Sequence, residues 1–270
     1  TGEGGSASVT SSGAIYASQY SKYGYGAAGI VVSADGDAGI DNSGLLAVDS
    51  AGLAYGAIAL AFNGDASVVN SGDIEVHSSG ALQYYGAFGI VSASQNGSAF
   101  ADNSGSIYVT SDYLDVGYIG MGIQAVGLDG ATVTNSGEIS VDAKYAYGIY
   151  ASSGAGDISV TNADGGLIDV YSYFSTGFGV LALATQGDVD VENAGTIDVY
   201  GYGQAVGAFT QSGAGNAHVG NSGTMDISSG GGVAAGAFAR ALNGEAMVVN
   251  DGSISVSCPY ALAYWALVGG

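Results

Sequence analysis

The sequence predicts an all-β fold: a right-handed parallel β-helix of about nine coils, each of roughly 30 residues and three short strands. Three observations predict it. An "NSG" triplet recurs at Asn42, Asn70, Asn103, Asn135 and Asn221, with variants at Asn162 ("NADGG"), Asn193 ("NAG") and Asn250 ("NDG"). Apolar residues stand at fixed distances from these anchors. Glycine is abundant at 49 residues and proline nearly absent at 1, a balance that disfavours helices and has no collagen period.

The first strand follows the anchor. Four residues on stand Leu46, Ile74, Ile107, Ile139, Ile197, Met225 and Ile254; six on stand Val48, Val76, Val109, Val141, Val199, Ile227 and Val256. The run "GEISVDA" thus alternates with a period of two, which is an extended chain with one buried face. A second strand surrounds a mid-unit glycine, as in "YGIYASS"; a third, as in "GDISVTN", leads into the next anchor. The unit at Asn162 carries two extra residues, which displace Ile168 and Val170. Ser11 opens an earlier, degenerate copy, "SSGAIYA". No unit can bury its apolar side alone, so equivalent strands stack in columns. Most length changes fall between the first and second strands, which places insertions at one corner. A sandwich or antiparallel barrel also suits short strands with turn signals, but same-position identity in every unit favours the solenoid. The chain reads as one repeat domain over 1–270 that begins and ends mid-coil.

The anchor asparagines share parity with the core residues. Stacked in register, their amides can form an inward ladder; the alternative is a set of exposed turn residues. Asn at this corner tolerates a left-handed backbone, and the glycine two residues on permits a tight bend.

Units such as "VTNSGEISVDAKYAYGIYASSGAGDISVTN" resemble the Gly/Asn/Ser-rich repeats of autotransporter passenger domains and related bacterial surface proteins. The resemblance covers nearly the whole chain and does not extend to a C-terminal translocator barrel. It implies a secreted β-helix displayed at the cell surface, and an adhesive or self-associating role.

Composition narrows the chemistry. A net charge of −21 repels nucleic acid and anionic membranes. Cys258 is the single cysteine, which leaves no intrachain disulfide and no Cys-based metal cluster. No apolar run approaches the length of a membrane-spanning helix. The chain opens at Thr1 without a basic leader and reads as a mature or excised piece.

Candidate sites are few. Asp37, Asp65, Asp157, Asp188 and Glu245 each lie five residues before an anchor, with Asn216 in register. Adjacent coils would bring their carboxylates together, where Ca²⁺ can bridge them; the plainer reading is a turn cap. No other cofactor is expected. Tyrosines gather near the variable corner, at Tyr84, Tyr85, Tyr113, Tyr118, Tyr145, Tyr147, Tyr171, Tyr173, Tyr200 and Tyr202. They offer rigid contact area for sugars, surfaces or sister rods, or else stack between coils. His77 and His218 read as isolated. Lys22, Lys144 and Arg240 fall in separate units, which disfavours an enzyme of acidic polysaccharides. "GYGAAG" from Gly24 sits inside a solenoid unit and lacks the strand–helix setting of a nucleotide site.

The chain opens on a third-type strand containing Val9 and closes on a second-type strand, "AYWALV", with Tyr264, Trp265 and Leu267; Trp265 aligns with Gly56. The complementary ends suggest head-to-tail stacking through these residues. The sequence therefore predicts a non-enzymatic, extracellular, structural or adhesive solenoid of a bacterial surface. Its partners would be itself, as a filament subunit, and surface glycans or other cells. The alternatives are a polysaccharide lyase or hydrolase, and a non-polymerising adhesin stalk.

Overall fold

The computed structural model describes residues 4–20, 26–79, 86–112 and 118–258, and the backbone of 260–268. It is a parallel β-solenoid of three nine-stranded sheets. Sheet A runs from Ala7–Ser11 to Ala246–Asn250, sheet B from Ile15–Gln19 to Ser253–Ser257, and sheet C from Gly26–Ala34 to Tyr260–Val268. Every strand pairs in parallel with its equivalent one coil on, so the chain visits A, B and C in turn through about eight turns. One coil illustrates the rest: Gly130–Asn135 in sheet A, Glu138–Ala143 in sheet B, Tyr145–Ser153 in sheet C. The described residues contain no helix long and apolar enough to cross a membrane.

Register explains the repeat. Ile107, Ile139 and Ile168 are directly paired, as are Val109, Val141 and Val170. All six are buried. Branched side chains suit this pleated, stacked surface. The two extra residues after Asn162 are absorbed in the turn before Leu167, where Gly165 adopts a φ of +82°.

The anchor asparagines form the inward ladder. Asn42 Nδ2 donates to Asn70 Oδ1, and the same bond links Asn70–Asn103, Asn103–Asn135, Asn135–Asn162, Asn162–Asn193, Asn193–Asn221 and Asn221–Asn250, at 2.7–2.9 Å. Each Nδ2 also donates to the carbonyl of the corner glycine in its own coil, as Asn135 does to Gly137 at 3.1 Å. Asn42 to Asn221 are at most 2% exposed. Buried amides are tolerated because every donor and acceptor finds a partner.

The corner differs from expectation in one respect. Among the described glycines positive φ occurs at Gly26, Gly130 and Gly165; of these Gly165 lies in the lengthened corner after Asn162, and the glycines two residues past the other anchors are not left-handed. Its glycine is required by close approach instead. A Cβ on Gly137 would meet the Gly105 carbonyl oxygen and stand 2.7 Å from the Ser104 carbonyl carbon.

Sheet C obeys a modified rule. In Tyr145–Ser153 both Gly148 and Ile149 are buried, so alternation is reset at the mid-strand glycine. The glycines stack, and a Cβ on Gly148 would lie 2.6 Å from the Gly179 carbonyl oxygen while striking a methyl of Ile168. A second correction follows from register. Trp265 pairs with Phe238 and belongs to the column of Ile58, not that of Gly56.

Candidate functional site

Outside the core, the chemistry lies on three outer faces and their corners. The turns from sheet C into sheet A hold the acidic residues read as a calcium row. Asp37 Oδ1 accepts the N–H of Asp65, Asp65 Oδ1 that of Ser98, Asp157 Oδ1 that of Asp188, and Asp188 Oδ1 that of Asn216, at 2.7–3.0 Å. Asn216 Oδ1 likewise accepts the N–H of Glu245 at 2.9 Å. Each side chain thus caps the equivalent turn of the next coil.

Sheet B presents acids and tyrosines. One outward column reads Tyr16, Ala47, Glu75, Tyr108, Ser140, Asp169, Asp198, Asp226, all in direct register. Burial raises the pKa of Asp169 and Asp198, and neighbouring carboxylates raise it further. Asp142, in the adjacent column, is raised by burial against an opposing hydrogen bond from Tyr173. Near the start of this face Tyr16, Tyr20, Tyr108, Asp49, Glu75 and His77 line an open cleft of about 670 Å³. Ala47 leaves the gap between Tyr16 and Glu75 that opens it.

The two histidines are not isolated, contrary to the sequence reading. His77 Nδ1 lies 3.0 Å from Asp49 Oδ1 and its Nε2 3.4 Å from Asp112 Oδ1. His218, on sheet A, places Nδ1 2.7 Å from Asp190 Oδ1 and 3.3 Å from Glu192 Oε1. Among the described residues Asp190, Glu192 and His218 are the group whose ligand atoms lie close enough, within 4.8 Å, to hold a metal ion. Burial raises the Glu192 pKa, Asp190 adds to this and His218 opposes it. Sequence spacing hid both clusters because each partner comes from a neighbouring coil, 28 residues away for Asp49–His77 and for Asp190–His218.

The tyrosines divide. Tyr84, Tyr85 and Tyr113 lie outside the described residues, as does Lys22. Tyr118 is a correction: at 1% exposure it is buried at the corner and offers no contact surface. Tyr171 stacks on Tyr200 at 4.6 Å and meets Tyr173 edge-on at 4.3 Å, and the Tyr173 hydroxyl donates to Asp142 Oδ2. Tyr171, Tyr173 and Tyr202 still face solvent. At this corner the rings stack between coils, and their outer edges stay exposed. Tyr145 and Tyr147 belong instead to sheet C, where Tyr147 stacks on Phe178 at 5.5 Å.

Sheet C is the face that sequence reasoning missed. Its outward columns hold Tyr55, Phe88, Met121, Tyr147 and Phe178 on one side of the bend, and Ile58, Val91, Gln124, Tyr150, Leu181, Phe209 and Phe238 on the other. Among the described residues no Asp or Glu lies in its strands, and Arg240 is their one charge. The described acidic residues lie on sheets A and B and in the turns between strands. The signal was present as nine-residue segments free of acid.

Comparison with protein-family models, with curated proteins and with solved structures finds no match.

Proposed function

We propose that this chain is a structural and adhesive rod of a bacterial surface, extracellular, self-associating, and without catalytic role or cofactor. The observation that supports the reading is the unbroken amide ladder, seven consecutive bonds, six of them buried, running beside three continuous parallel sheets. Stacked strands about 4.8 Å apart make a stiff column roughly 40 Å long. Its acidic faces keep it soluble, and its tyrosine edge supplies contacts. End-to-end stacking would set Val9 and the rest of its strand on the last strand of sheet A; electron microscopy of concentrated protein reads it out as fibres.

Display of the chain on the surface of a non-adherent bacterium tests the role. Cells bearing it should clump or bind a glycan-coated surface, and replacement of Tyr171, Tyr173 and Tyr202 by serine should reduce surface binding. Displayed, folded protein that changes neither behaviour sinks the proposal. The cleft beside His77 supports a second reading, a glycan-cleaving site using Asp49 and Glu75. Turnover of a glycan panel that disappears in Asp49→Asn would replace the first reading with it.

A further inference from the structure

We propose that the outer face of sheet C is a pairing surface for a second copy of this chain, the two rods lying antiparallel about a two-fold axis near Tyr150. The proposal rests on the self-association in the reading above and assigns it to one face.

Charge selects the occupant. Each copy carries a net charge of −21, and its described carboxylates lie on sheets A and B and in the turns between strands. Two copies approaching through those faces bring like charges together. Approach through sheet C opposes no carboxylate, because no Asp or Glu lies in its described strands. The face also offers what pairing needs. Aromatic rings are already held in place by stacking, Tyr55 on Phe88 and Phe209 on Phe238, both at 5.0 Å. Little side-chain freedom remains to be lost on association. Seven inner strands, about 4.8 Å apart and about 30 Å long, span roughly 1,000 Å². A stable interface needs about 800 Å² per partner.

Symmetry gives the register. Tyr145–Ser153 is the fifth of nine strands, and its Tyr150 points outward. A pairing that uses the whole face therefore places Tyr150 beside its own symmetry mate. The apolar contact is strengthened by salt, which screens the repulsion between the two acidic bodies.

Sedimentation equilibrium of the chain at 20 mM and 0.5 M NaCl tests this. The wild type should form dimers, more tightly at high salt. Tyr150→Glu and Tyr150→Lys should each weaken pairing at least ~10-fold, by setting like charges across the axis. An equimolar mixture of the two variants should restore the dimer. Small-angle scattering must show each variant still a rod of monomer length, which separates loss of pairing from loss of fold. Surface binding by that monomeric rod leaves the adhesive reading standing when pairing fails. Three results overturn the proposal: a wild type that stays monomeric at 0.5 M NaCl, variants that pair like wild type, or monomers that partition instead onto phosphatidylcholine vesicles.

Discussion

Asn135 sits at the middle of the amide ladder, accepting from Asn103 and donating to Asn162. Asn135→Ala would strand one buried donor and one buried acceptor, so it should cost about 2–4 kcal/mol. Urea unfolding measures it; a loss below about 1 kcal/mol would mean that water replaces the amide. The exposed Ser136, one residue on, should tolerate alanine within about 0.5 kcal/mol. At this scale the sequence was legible because core parity favoured an inward amide over an exposed turn residue. What it concealed was the corner glycine's reason. Neighbouring backbone, contributed by residues 32 positions away, occupies the place of a Cβ, and local sequence carries no trace of that.

At the scale of the strand, the sheet C segment inverts the usual arrangement. In Leu53–Ala61 the buried positions are Ala54, Gly56, Ala57, Ala59 and Ala61, while Tyr55, Ile58 and Leu60 face out. In this strand small residues point inward and bulky ones cover the outside, while Ile90, Ile123 and Ile149 fill the inward position of Ala57 in the coils that follow. Reading by polarity finds no contrast here, and the phase reset at Gly56 erases what period remains. Sheets A and B were readable because their outward positions are polar. The glycine column predicts its own consequence. Gly148→Ala would press a methyl against the Gly179 carbonyl and Ile168, so it should destabilise by about 1–3 kcal/mol. Local hydrogen exchange should quicken in Tyr145–Ser153 and its two neighbours. A neutral effect would show that the coils can separate there at little cost.

For the molecule as a whole, the dominant feature is segregation of charge. Asp142, Asp169, Glu192 and Asp198 all have raised pKa values, caused first by burial. A carboxyl with a raised folded-state pKa binds its proton more tightly in the fold than in the unfolded chain. Its destabilising effect is complete above the raised value and vanishes below the ordinary value of about 4. The urea midpoint should therefore rise as pH falls from 7 towards about 4.5. Asp198→Asn, which neutralises the centre of the Asp169–Asp198–Asp226 column, should raise the midpoint at pH 7 and flatten the profile. A midpoint that falls over the same window would mean that these carboxylates are better solvated than their packing implies.

The ladder bonds all point one way: each nitrogen donates to the oxygen of the following coil. The column is thus a one-way track with interchangeable sleepers. Excising residues 136–162 would slide Asn135 into the berth of Asn162 and reconnect the line without reversing a link. As far as the amide column is concerned, a gene for such a protein can lengthen or shorten its product in increments of one layer.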